Sequence, residues 1–191
     1  MIFNIFNRHI DRNTTKVFES ALAQAKNTFP QRFKNETSSV EERREKFEAI
    51  AIFMALYAWY LKGEGSKRAR GLSQAAYDHM FDTFEVALRE QGVSDVRIGP
   101  EVKKLAAAFH GRLVSYGEAF EMGNTALLSE SFVRNSVCDK AKAMSISIVL
   151  ISEARKMQAQ KLENWIESLD NLKKGTFEPR EIVMENSGDV S

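Results

Sequence analysis

The sequence has 191 residues, 43% hydrophobic and 28% charged, with a formal net charge of +1. This length suits one domain with a sizeable core, and the composition is that of a folded rather than a disordered protein. The near-neutral charge provides no overall basic field, so we expect no nucleic-acid partner. Only three prolines and ten glycines interrupt the chain, which favours long helices and predicts an all-α fold.

The first twelve residues form an apolar and basic segment that is too short for a signal peptide. We therefore expect a bacterial cytoplasmic protein. Met1–Arg8 is hypothesised to make a peripheral contact with a partner or with the inner face of the bacterial inner membrane. An amphipathic helix is predicted from about Asn13 to Phe29, and Pro30 ends it.

The clearest helix start in the sequence is Ser39-Val40-Glu41-Glu42, which matches a capping box. It predicts a helix near residues 40–62. Apolar residues occupy every face of this helix, so it must be enclosed by its own domain or by a partner. If the Trp59 ring lies in the core, Trp59→Ala is expected to cost ~3–5 kcal/mol, and a loss below ~1 kcal/mol would mark Trp59 as a surface or partner residue. The uncharged run 49–61 is shorter than the ~20 residues of a membrane span, which favours a core helix.

The middle of the chain is predicted to contain a loop followed by two helices. The polar loop Gly63–Leu72 carries a basic cluster, Lys67, Arg68 and Arg70. Ser73 is predicted to cap a helix that ends near Gln91, and Gly99-Pro100 to open the next one. The second of these helices has an inner stripe made of Val102, Leu105, Phe109, Leu113, Tyr116 and Phe120.

The last third of the chain is predicted to form two more helices. Gly123-Asn124 starts a short one, and Lys140–Lys174 follows a long helical pattern that ends at Gly175. The alternation in Ser145-Ile146-Ser147-Ile148 resembles a strand, so a break is conceivable there. We interpret this segment as helix.

These segments predict a single-domain bundle of about six helices, with the apolar helix near residues 40–62 at its centre. The helical domain spans residues 13–175. It follows the N-terminal segment 1–12 and precedes a poorly ordered tail, 176–191.

The residue types needed for catalysis or metal binding do not cluster in the sequence. His9, His79 and His110 have no metal-ligand spacing, and the single cysteine, Cys138, has no histidine nearby. We therefore expect no catalytic residue, no metal and no cofactor. An enzyme whose site assembles from distant residues stays open as an alternative. Arg112 borders the apolar stripe of its helix, so we expect it to be partly buried and paired with a carboxylate.

One longer stretch contains many residues, in a fixed order, that together are more informative than any short motif. An acid- and aromatic-rich helix ends in Leu88-Arg-Glu-Gln-Gly-Val-Ser-Asp95, and a basic helix follows with Val102-Lys-Lys-Leu-Ala-Ala-Ala-Phe-His-Gly-Arg112. Residues 73–117 thereby resemble the core of the ubiquinol-cytochrome c chaperone family.

The resemblance implies an all-helical, non-enzymatic assembly factor without a cofactor. Its expected partner is newly made cytochrome b, or another subunit of ubiquinol–cytochrome c reductase (respiratory complex III). The residues alone leave open a generic helical adaptor or regulator with a soluble protein partner.

The predicted partner-binding residues lie in or next to this stretch. Lys103, Lys104 and His110 fall off the apolar stripe of their helix, so the core does not explain them. Together with Arg97 they predict a basic rim around an apolar contact. Tyr116 completes the predicted set.

Overall fold

The computed structural model describes residues 12–35 and 39–172, and this part of the chain contains helices and no strand. The all-α bundle predicted from the sequence is confirmed. A short 3-10 helix, Pro30–Phe33, follows the first α-helix. The α-helices are α1 (Arg12–Thr28), α2 (Val40–Glu64), α3 (Lys67–Glu90), α4 (Asp95–Met122), α5 (Thr125–Arg134), α6 (Lys140–Gln158) and α7 (Leu162–Leu172).

The start of α2 is the one that the sequence predicted. The Ser39 hydroxyl accepts a hydrogen bond from the Glu42 backbone N–H at 3.2 Å, and the Glu42 carboxylate accepts one from the Ser39 N–H at 2.7 Å. These bonds satisfy two backbone donors that the helix itself cannot. The bond from the Ser39 backbone contributes most to lowering the pKa of Glu42 below its ordinary value. Gly65, with φ of 77°, ends the helix in the left-handed conformation.

Helix α2 is the centre of the bundle. Helices α1, α3, α4 and α6 pack around it, and every residue from Phe47 to Tyr57 is buried. Its C-terminal part differs, because Ala58 and Trp59 are only partly buried. The prediction of an enclosed helix is therefore confirmed for most of α2, whereas Trp59 packs against the core but stays partly exposed, in surroundings that are described below.

Helix α3 begins earlier than predicted. Ser66, not Ser73, occupies the capping position, and its hydroxyl accepts a hydrogen bond from the Ala69 backbone N–H at 3.1 Å. The extra turns bury Ala69 and Leu72, which a loop would leave exposed. The predicted basic loop is thus mostly helix.

Helix α4 also begins earlier, at Asp95 rather than at Pro100. Proline at this position removes one hydrogen bond, to the carbonyl of Val96. Both Val96 and Pro100 are exposed, so water can reach that carbonyl. Ile98 is buried, and its burial stabilises the turn that precedes the proline.

The C-terminal helical pattern is divided, but not at Ser145–Ile148, which lies within α6. The division comes between Gln158 and Leu162, where the Tyr60 hydroxyl donates to the carbonyl of Gln160 at 3.1 Å. After this turn α7 packs against α1, and Lys16 lies 2.5 Å from Asp170. The predicted end at Gly175, the tail 176–191 and the segment Met1–Arg8 lie outside the described residues.

Within the described residues, none of the helices combines the length and the apolar character that crossing a membrane requires.

Candidate functional site

An open groove of about 990 Å³ lies between α3 and α4, with α2 as its floor. Contacts between α2 and α4 advance in the same direction along both helices, from Glu48–Arg112 to Trp59–Glu121, so the two helices run parallel and the groove follows them. The α4 wall extends from Phe109 to Glu121, or about 18 Å at 1.5 Å per residue. The lining residues are Met54, Ala58, Trp59, Lys62, Gly63, Arg70, Ser73, Gln74, Tyr77, Phe109, His110, Leu113, Val114, Gly117, Glu118 and Glu121.

Trp59 is the largest side chain of the floor. Its ring packs against Phe120 with centroids 5.6 Å apart, and its indole N–H donates to the Glu121 carboxylate at 3.0 Å. One side of the indole is thus fixed by α4 while the other faces the groove. An aromatic ring with a polar edge in a concave surface is typical of binding sites.

The charges of the groove are separated between its two sides. Glu118 and Glu121 lie on the α4 wall, Arg70 lies on the α3 wall, and Lys62 lies at the end of the floor. In the part of the chain that the structure describes, no ion pair crosses the groove. These charges are therefore available to an occupant of the groove.

Two glycines leave space in the groove. A Cβ atom built at Gly63 or at Gly117 would meet no other atom within 4 Å. Gly117 lies within α4, where any helix-forming residue fits the backbone. A Cβ atom at this position therefore meets open space on the groove wall.

Comparisons with known proteins identify the family. The family model described as ubiquinol-cytochrome C chaperone matches residues 39–168. The chain belongs to the ubiquinol-cytochrome C chaperone family. Membership confirms the resemblance seen in residues 73–117 and the expected function in assembly of ubiquinol–cytochrome c reductase; the generic adaptor is not favoured. A family of chaperones also weighs against the enzyme alternative.

Solved structures support the same fold. The chaperone matches the crystal structure of the Cbp3 homolog from Brucella abortus with a TM-score of 0.65 and 21% sequence identity, over 81% of this chain and 84% of that one. A search of curated proteins found no match. At this level of identity the structural match shows the fold, and the family model carries the assignment.

The predicted partner-binding residues of the chaperone lie along α4 rather than in one cluster. Arg97 and Lys103 are exposed and make no ion pair with other described residues, whereas Lys104 pairs with Glu101 at 2.9 Å. His110 is exposed and reaches the groove. The distance along the helix from Arg97 to His110 is about 20 Å, so these residues form an extended face.

Tyr116 does not belong to this exposed face. Its side chain is fully buried, its ring contacts Phe132 edge-on at 5.1 Å, and its hydroxyl accepts a hydrogen bond from Asn135 at 3.3 Å. Burial raises the pKa of Tyr116 above its ordinary value. Its inclusion among the contact residues is contradicted, because the ring fills the core between α4 and α5.

Arg112 forms the buried pair that the sequence predicted. Its guanidinium binds both carboxylate oxygens of Glu48, at 2.6 and 3.1 Å, with the two side chains 17% and 4% exposed. Burial lowers the pKa of Arg112, but the hydrogen bonds and charge of Glu48 outweigh it, so the pKa lies above its ordinary value. This pair joins α4 to α2 inside the bundle and so positions one wall of the groove.

The other residues considered for catalysis or metal binding pack against, or pair with, neighbouring side chains. His79 packs edge-on against Phe18 at 5.3 Å. Burial raises the pKa of the Cys138 thiol, which disfavours the reactive thiolate. Arg68 of the predicted basic cluster pairs with Glu163 at 2.8 Å. In residues 12–35 and 39–172, no group of three or more His, Cys, Asp and Glu side chains is placed to hold a metal ion.

The groove is the feature that sequence reasoning missed. Three helices contribute its lining residues, and the sequence pattern predicts core positions for most of the apolar ones. A sequence signal for it was Gly117, a glycine in the interior of the helix that most resembles the family.

Proposed function

We propose that this chaperone holds the cytochrome b subunit while ubiquinol–cytochrome c reductase is assembled, and that it contacts this client through the exposed face of α4. The observation that carries the proposal is the mixed character of that face. Arg97 and Lys103, which make no ion pair with other described residues, lie on the same helix as apolar side chains that are well exposed. These apolar side chains are Val96 (87%), Val114 (62%) and Met122 (64%).

This combination suits a membrane subunit as client. Apolar burial provides most of the affinity of such an interface, whereas charges at its rim mainly increase the rate and specificity of association. Exposed apolar side chains of this kind would also promote aggregation unless a bound partner covers them. The bases favour an acidic loop of the client over a basic one.

The test is the double charge reversal Lys103→Glu with Lys104→Glu. Single exposed charges are worth less than about 1 kcal/mol, so two changes are needed. The matched control is Lys26→Glu with Lys161→Glu, which changes the net charge equally at exposed positions in α1 and in the turn before α7. Both variants are expected to keep the melting temperature within a few degrees.

The two readouts are cytochrome b recovered with the tagged chaperone and assembled complex III in cells that lack the native gene. We expect both to fall for the α4 variant and to stay near wild type for the control. Full retention of both by the folded α4 variant would place the client contact on another surface. Wild-type protein that never recovers cytochrome b would show that the client is a different subunit.

A peripheral contact with the inner face of the bacterial inner membrane is a second part of the proposal. It rests on Met1–Arg8, whose apolar side chains could enter the lipid interface while Arg8 faces the phosphates. An anchor this short gives only weak and reversible binding. Removal of residues 1–8 is expected to lower the membrane-associated fraction in flotation assays at low salt, and an unchanged fraction would contradict it.

A further inference from the structure

We propose that the groove between α3 and α4 binds one amphipathic helix of about 12 residues, supplied by a part of the client outside its membrane spans. The proposal rests on the proposed function for the origin of that helix. The dimensions and charges of the groove determine the chemistry of the occupant.

The shape favours a helix. The α4 wall is about 18 Å long, which is the length of about 12 helical residues. The floor and lower walls present Met54, Ala58, Trp59 and Leu113, and a helix with apolar residues at i, i+3, i+4 and i+7 would cover them. The absence of side chains at Gly63 and Gly117 lets another backbone approach closely.

The charges favour an amphipathic helix over a membrane-spanning one. The α4 wall is acidic at Glu118 and Glu121, and the opposite side is basic at Arg70 and Lys62. A complementary helix has an apolar stripe with bases along one edge and acids along the other. A membrane-spanning helix lacks such edges, and a lipid acyl chain would offer no group that could pair with Glu118 and Glu121 on one side or with Arg70 and Lys62 on the other.

The first test obstructs the groove without unfolding the protein. Gly117→Leu places a side chain in the groove, and Gly111→Leu is the matched control, since Gly111 lies in the same helix, is exposed and does not line the groove. Both changes replace a glycine in the interior of a helix, at a position where a Cβ atom meets open space. Neither is therefore expected to lower the melting temperature. The probe is a fluorescein-labelled synthetic peptide of about 14 residues with a leucine stripe, lysines along one edge and glutamates along the other.

We expect fluorescence anisotropy to show binding to wild type and to Gly111→Leu, and at least a tenfold weaker affinity for Gly117→Leu, which corresponds to about 1.4 kcal/mol. Equal affinities of the two leucine variants would overturn the proposal. Because this assay uses purified full-length chaperone and no cytochrome b, its failure differs from a failure of the proposed function.

The second test addresses the separation of charge. Glu118→Lys with Glu121→Lys makes both sides of the groove basic. We expect wild type to prefer the peptide with one basic and one acidic edge, and the variant to prefer a peptide with two acidic edges. Such an exchange of preference cannot result from misfolding. An unchanged preference would contradict the charge argument.

Other occupants give different results. Binding of a fluorescent fatty acid by wild type and not by Gly117→Leu, without binding of any peptide, would assign the groove to an acyl chain. A dimer in sedimentation experiments that Gly117→Leu dissociates would assign it to a second copy of this chain. Either result would overturn the proposal.

Discussion

The two tryptophans lie on opposite faces of α2, and their surroundings differ. Trp165 of α7 is 1% exposed and packs against Tyr57 and Tyr60 with ring centroids 5.4 and 4.8 Å apart. Trp59 lies on the face that forms the groove floor and is only partly covered, by Phe120. Both faces of α2 are apolar in sequence. An apolar helix face therefore indicates that the face must be buried. It does not indicate whether the same chain or a partner buries it.

The comparison predicts the largest effect at Trp165. Trp165→Ala would leave a large cavity between α2 and α7, with an expected loss of about 3–5 kcal/mol in the free energy of unfolding. Denaturant unfolding followed by circular dichroism measures it. A loss below about 1 kcal/mol would mean that α7 contributes little to the covered side of α2.

The next largest loss of stability is expected at the ion pair that links α2 to α4, the helix that forms one wall of the groove. Arg112→Met leaves the Glu48 carboxylate buried without its cation. Because the Arg112 side chain is 17% exposed, we expect a cost of about 2–4 kcal/mol, somewhat below the roughly 3–5 kcal/mol of a fully buried pair. The variant Arg112→Met with Glu48→Gln removes both charges and is expected to recover most of that loss. A double-mutant cycle from denaturant unfolding gives the coupling energy, and additive effects of the two changes would contradict the paired arrangement.

A smaller loss of stability is expected on the open side. Trp59→Ala removes a ring that is only partly covered, so we expect about 1–2 kcal/mol, less than half of the Trp165 value. The same unfolding experiment serves for both variants. Equal losses for the two tryptophans would show that the groove is closed in solution and would remove the contrast.

The smallest effect has the opposite sign. Gly117→Ala adds a methyl group in open space within α4 and is expected to stabilise the fold by about 0.5–1 kcal/mol. Differential scanning calorimetry would detect it as a higher melting temperature. Destabilisation would mean that another part of the chain occupies the groove.

Much of the fold could be predicted because its signals are local. The capping box at Ser39 fixed the start of α2, and the apolar residues on all its faces indicated a central position. The starts of α3 and α4 were harder, since Ser66 and Ser73 are both plausible caps and Pro100 is a common first-turn residue. The burial of Leu72 and Ile98 decided both cases, and burial is a tertiary property.

The candidate site was predictable only in part. Helical spacing placed Lys103 and His110 away from the core, and both are exposed. The same spacing placed Tyr116 in the inner stripe, where the structure finds it, and its inclusion among contact residues went against that pattern. The groove itself depends on how far α3 and α4 diverge over α2, which helix periodicity does not encode.

The packing of Trp165 on α2 also has a consequence for synthesis of the chain. Tyr60 leaves the ribosome about 100 residues before its partner ring on α7. At typical bacterial elongation rates this interval lasts roughly 5–20 s. Through that time the part of Tyr57 and Tyr60 that Trp165 covers in the finished bundle stays open, although α1, which is made first, already contacts Tyr57 through Ser20. The last aromatic contact of the central helix therefore forms only when α7 has been made.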